Sequence, residues 1–91
     1  LSDLDRVVDF LREHDLNGAS IRLLGFTDNQ GGAAVNRSVS RGRAARVAQA
    51  LAQRGVAGAS LEGFGAALPI SDNSSEEGRN RNRRVEIWIA R

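Results

Sequence analysis

Asp28 and Arg43 are the residues whose types and spacing best suit them to chemistry. The β-rich run Ile21-Arg22-Leu23-Leu24-Gly25-Phe26 delivers Thr27 and Asp28 to a loop containing Gly31-Gly32. A helix follows and carries Arg43, fifteen positions after Asp28. An acid at a strand end and a guanidinium in the next helix's first turns can face one pocket if the loop folds back. A carboxylate beside an arginine fork can hold a ligand that bears both an amine and a carboxylate, since each charge then receives a charge-assisted hydrogen bond. Plainer roles stay open on residue type alone. An aspartate after a strand commonly closes an Asx-turn, and a helix arginine is commonly solvated.

Other chemistries find little support. Ninety-one residues make one domain, residues 1–91, with one modest core. No run approaches the ~18 apolar residues of a membrane span, so this domain is not expected to insert directly into a membrane. The chain opens at Leu1 rather than Met and is expected to be an excerpt of a longer exported protein. There is no cysteine, and His14 is the only histidine, which leaves no disulfide and no multi-histidine metal site. His14, near a helix end, suits the negative end of the helix dipole. Glu76 and Glu77 are adjacent and point apart, and no nucleophile–base set accompanies them, so neither catalysis nor a cofactor is expected. All 13 basic residues are arginine and the net charge is only +2, so the pI near 10.9 reflects a small excess with no lysine or tyrosine to titrate first. The one charge run, Arg79-Asn80-Arg81-Asn82-Arg83-Arg84, offers phosphate contacts. With Phe10, Phe26, Phe64 and Trp88 as the only aromatics, no base-stacking platform accompanies it, and nucleic acid is not an expected partner.

The elements that must position these residues follow from periodicity. Leu4, Val7, Val8 and Leu11 predict a helix over 3–13, capped by Ser2 or Asp3 and closed by a turn at Asn17-Gly18. A strand is expected over 20–26 and a loop over 27–37. A helix over about 39–53 has the stripe Ala44, Val47, Ala48 and Leu51, with Gly55 as its C-terminal stop. Small alanines on that stripe let the helix lie close to a sheet. Gly42, just before Arg43, is a poor helix residue and weakens the helix start on this reading. A short strand around Leu61 covers 59–64, and 65–82 is irregular, with one helical turn where Ser74 and Glu77 have capping-box spacing. The last strand, 83–90, puts Val85, Ile87 and Ile89 on one face and Arg84, Glu86 and Trp88 on the other.

Gly25-Phe26-Thr27-Asp28, then Asn36, Ser40, Arg43-Ala44 and Val47, and finally Asn82-Arg83-Arg84-Val85-Glu86-Ile87 recur in order across residues 4–90. Gly55-Val56 and Gly63-Phe64-Gly65 before Pro69 also fit. This pattern resembles the peptidoglycan-binding domain at the C-terminus of outer-membrane protein A, found also in peptidoglycan-associated lipoproteins and flagellar stator proteins. The resemblance implies an α+β fold of order βαβαββ, with two helices on one face of a mixed sheet. The visible order here is αβαββ, with the first strand apparently missing. It also implies non-covalent binding of peptidoglycan in the bacterial periplasm or cell envelope. In that picture Asp28 and Arg43 hold the diaminopimelate of the stem peptide, and Thr27 and Asn36 line the pocket or shape its loop. One arginine of Asn82-Arg83-Arg84 lies near the site, and Arg83, at the strand mouth, is expected to be that residue. The alternatives are a degenerate relative that keeps the fold as a protein-interaction module, and nucleic-acid binding by the arginine cluster.

Overall fold

Leu4, Val8 and Leu11 are buried along one stripe of the first helix, α1 (Ser2–Glu13), where the 3.6-residue repeat places them. The computed structural model describes residues 2–14 and 20–90, apart from the side chains of residues 2 and 3. The side-chain caps expected at Ser2 or Asp3 rest on side chains that are not described, and the turn at Asn17-Gly18 lies outside the described residues. After α1 come β1 (Ser20–Gly25), α2 (Ala33–Gln53), β2 (Ser60–Gly63), α3 (Glu76–Asn82) and β3 (Val85–Ala90).

The sheet order is β2-β1-β3. Central β1 runs parallel to β2, with Leu23 opposite Leu61, and antiparallel to β3, with Leu23 opposite Ile87. Ile21 and Leu23 form one core with the α1 stripe and with Ala44 and Leu51 of α2, and Ile87 and Ile89 of β3 pack against it. The two long helices therefore share one face of a mixed sheet, the α+β arrangement expected. Gly55 follows the end of α2 at φ +85°, where its N–H and that of Val56 close a Schellman stop on Ala52 and Leu51.

Two glycines decide how closely α2 approaches. A Cβ on Gly25 would stand 1.9 Å from the Ser40 carbonyl oxygen, and one on Gly63 would stand 2.5 Å from that of Arg37. The helix thus rests on β1 and β2 main chain against main chain. Ser40, fully buried, donates from its hydroxyl to the Arg37 carbonyl and accepts the Gly65 N–H at 3.0 Å.

Two expectations need correction. First, α2 begins at Ala33 rather than near 39, because Ala33-Ala34 favour helix and Gly32 starts it without a side-chain cap to mark the boundary. Asn36 is therefore in a helical turn instead of a loop, and Gly42 lies mid-helix. Second, 65–82 contains α3, which makes the order αβαβαβ, and the last strand starts at Val85 rather than 83. The cap of α3 is Ser75, whose hydroxyl accepts the Gly78 N–H, while Ser74 bonds Asp72 instead. β1 also buries Leu24 on its second face, and Phe26, just past its end, is buried as well. Phe64 stacks on Phe26 at 5.5 Å, and the Arg84 guanidinium lies 3.8 Å from the centre of the Phe26 ring. Trp88, further along that second face, stays 58% exposed.

Candidate functional site

The β1–β3 ladder delivers its last residues to the site. The Phe26 N–H donates to the Arg84 carbonyl at 2.8 Å, one step past β1. The Thr27 N–H then donates to the Gly65 carbonyl at 2.8 Å, and the Thr27 hydroxyl donates to the Asp28 carbonyl at 2.9 Å. These bonds consume the polar groups of a buried threonine and fix the backbone of Asp28. Asp28 is itself buried. Its Oδ1 accepts the Gln30 N–H at 3.0 Å, the Asx-turn that such a position invites. Its Oδ2 meets Nη1 of Arg83 at 2.5 Å. The Gln30 N–H and the Arg83 guanidinium hold the Asp28 carboxyl below the ordinary carboxylate range, and burial opposes them.

Arg83 forms the C-terminal cap of α3, and its Nη2 reaches Oε1 of Glu76 at 2.7 Å. Glu76 and Asp28 together raise the Arg83 pKa, and Arg83 and Arg79 lower that of Glu76. What aims Arg83 is its neighbour Asn82, which is fully buried. The Asn82 side-chain oxygen accepts the Ile70 and Ser71 N–H groups at 2.8 and 3.0 Å, and its amide donates to the Ser71 carbonyl and to Asn73. One side chain therefore ties the 69–75 loop to the end of α3.

Arg43 lies on α2 and donates from Nη1 to the Phe26 carbonyl at 3.4 Å, which puts its head at the exit of β1. Among the described residues it has no carboxylate partner within ion-pair distance. It lines a cavity of about 240 Å³ with Arg46, Val47, Arg83, Arg84 and Val85. The structure thus brings Arg43 and Arg83 to one cavity and joins Asp28 to it through Arg83. Asp28, Thr27 and Asn36 do not themselves line that cavity. Asn36, buried in the first turn of α2, reaches the Gly31 carbonyl at 3.5 Å and packs beneath Gly65, where a side chain would be strained by the φ of +59° and would stand 3.2 Å from the Asn36 Cβ. Thr27 and Asn36 hold the loop.

Of the two motif arginines, Arg84 pairs with Glu86 at 2.8 Å, and Glu86 in turn accepts the Trp88 indole N–H at 3.1 Å. That row, with Arg84 just before β3 and Glu86 and Trp88 on it, is the alternation expected of a strand. The arginine run is largely neutralised: Arg79 pairs with Glu76, Arg81 with Glu77, Arg83 with Asp28 and Glu76, and Arg84 with Glu86. It therefore offers no free cationic strip. The supporting roles of Glu76 and Asn82, and the place of Arg46 in the cavity lining, were not anticipated from the sequence. The i, i+3 spacing of Arg46 from Arg43 was the one signal available for Arg46. Among the described residues no cluster of histidine and acidic side chains could hold a metal ion.

The profile described as the OmpA family matches residues 2–83. The chain belongs to the OmpA family. An OmpA-family relative, the peptidoglycan-binding protein ArfA of Mycobacterium tuberculosis, is 43% identical over 88 residues, which are 94% of this chain and 26% of ArfA. The chain spans only about a quarter of that relative's length. The peptidoglycan-associated lipoprotein of Burkholderia pseudomallei superposes with a TM-score of 0.82 at 26% identity, covering 94% of this chain and 73% of that one. The cell wall anchor of the type VI secretion system from Pseudomonas aeruginosa superposes at 0.76 with 36% identity, covering 96% and 62%. These OmpA-family structures share the α+β layering described above. Among the described residues no helix is long and apolar enough to cross a membrane.

Proposed function

We propose that this OmpA-family domain binds cell-wall peptidoglycan non-covalently and anchors a larger protein in the bacterial envelope, by gripping the far end of the stem peptide's diaminopimelate. The observation that carries the proposal is the state of Arg43: its guanidinium reaches a cavity and, among the described residues, bonds only a backbone carbonyl and meets no carboxylate. A ligand carboxylate would satisfy it. Asp28, kept ionised by its hydrogen bonds, would take the ligand ammonium on lone pairs that Gln30 and Arg83 leave open. Arg83 presents Asp28, while Thr27 and Asn36 hold the loop that carries it. A volume of about 240 Å³ falls below the ~300–1,000 Å³ of pockets that enclose drug-sized ligands, and it suits part of a short peptide. The relatives named for peptidoglycan binding and wall anchoring support the same reading. Affinity per site should be weak, and many stems on one wall would strengthen retention.

Co-sedimentation with purified sacculi tests this. The wild-type domain should pellet with the wall, and Asp28→Ala and Arg43→Ala should each stay in the supernatant with unchanged circular dichroism. Undiminished pelleting of either folded variant would overturn the assignment.

A further inference from the structure

Four guanidiniums line the cavity, and they differ in what they already hold. Arg83 is occupied by Asp28 and Glu76, and Arg84 by Glu86 and the Leu68 carbonyl. Arg43 has only its contact to the Phe26 carbonyl. Arg46, exposed and lining the same cavity, makes no ion pair or hydrogen bond with any described residue. Arg43 and Arg46 stand three positions apart on α2, neighbours on one helix face, where like charges repel. Val47, also on this face, and Val85 opposite supply the apolar part of the lining. Among the described residues, the cavity therefore has two cations fixed by internal partners and two without a carboxylate.

We propose that Arg46 is a further ligand-binding residue and that the cavity takes a ligand with two carboxylates, one on Arg43 and a second on Arg46. This rests on the peptidoglycan reading above. It adds that the second carboxylate belongs to the same stem peptide, and that converting it to a carboxamide weakens binding. The chemistry is direct. A carboxylate accepts from both N–H groups of a guanidinium fork and neutralises it, whereas a carboxamide offers one neutral acceptor and turns an N–H donor toward a cation. A carboxylate on Arg46 also relieves its repulsion with Arg43. Because Arg46 has no partner among the described residues, replacing it breaks no described hydrogen bond or ion pair.

The test uses two versions of one soluble diaminopimelate stem peptide that differ only at the glutamate α-carboxyl, free acid in one and carboxamide in the other. Both are titrated at matched salt against wild type, Arg46→Gln and Arg46→Lys. Wild type should bind the acid roughly 10-fold or more tightly than the amide, as expected when a site built for an anion meets its neutral isostere. Arg46→Gln should bind the two about equally, at the level of the amide on wild type. Arg46→Lys should keep part of the preference, because it retains the charge and loses the fork. If wild type binds both peptides equally, or if Arg46→Gln keeps the full preference, the role of Arg46 falls while peptidoglycan binding stands. If wild type binds neither peptide, both proposals fall.

Discussion

Gly25→Ala and Gly42→Ala, the same substitution at two glycines, should act with opposite sign. At Gly25 the new Cβ would stand 1.9 Å from the Ser40 carbonyl oxygen and 2.7 Å from its carbon. A carbon–oxygen contact needs ~3.3 Å, so the helix must retreat by roughly 1.4 Å or the strand must bend. Helix backbone, unlike the tip of a flexible side chain, cannot step aside alone. A retreat of α2 on that scale would stretch the 3.0 Å bond from the Gly65 N–H to the buried Ser40 hydroxyl past useful length. Overpacking costs ~1–3 kcal/mol, and a buried hydrogen bond left unmade adds about 1 kcal/mol or more. A total of ~3 kcal/mol is a large share of the ~5–14 kcal/mol that a domain of this length has, and it corresponds to a melting temperature lower by roughly 12–24 °C. A Cβ on Gly42, by contrast, meets nothing within 4 Å. In mid-helix it should stabilise by ~0.5–1 kcal/mol and raise the melting temperature by a few degrees. Thermal unfolding followed by circular dichroism measures both. Sacculus pelleting at low temperature, where Gly25→Ala is still folded, should also be weakened, since α2 carries Arg43. A Gly25→Ala melting temperature within about 3 °C of wild type would refute the claim that main-chain contact sets the helix position.

Other outcomes follow from the same geometry. Asp28 has a folded pKa below its ordinary value, so the stability it contributes is complete above the usual aspartate value of ~3.9 and is lost as pH falls through the depressed one. Melting temperature should be flat between roughly pH 5 and 8 on this account and drop in acid, with a shallower drop in Asp28→Asn. Asn82→Ala should remove the 69–75 tether and destabilise by about 2–4 kcal/mol, because several backbone groups lose their partner at once. Increased proteolysis within that loop reports the same loss. Arg43→Lys should bind sacculi poorly despite keeping its charge, since an ammonium lacks the planar fork. Stem peptides with lysine in place of diaminopimelate should bind ~10-fold or more weakly; equal affinities in a muropeptide titration would show that Arg43 does not read the terminal carboxylate.

The parts of this fold that were legible in the sequence are those that repeat. The α1 stripe and the Val85, Ile87, Ile89 face follow single periods, and both stand where periodicity put them. α3 has no apolar stripe. It is held by the Ser75 cap, by the ion pairs of Glu76 and Glu77, and by Gly78 pressed against the Asp72 carbonyl, none of which has a period to find. The start of α2 was hidden because Gly32 brings no capping side chain. At the site, residue type drew attention to Asp28, Arg43 and Arg83. It did not show that Arg83 sits directly on Asp28, because nothing local links residues 55 positions apart. Asn82 reads as a surface polar residue until its four hydrogen bonds are seen.

That long separation has a consequence for when the domain can work. Asp28 and Arg83 meet only after β3 has docked against β1, with Leu23 facing Ile87. Closing so large a loop is slow compared with forming helices, so the site should be assembled in the last cooperative step of folding. A nascent or partly unfolded chain would hold Arg43 on its helix and still have no grip. The wall should then select fully folded molecules, and each engaged stem peptide should hold β3 in place, shifting the folding equilibrium toward the native state by mass action.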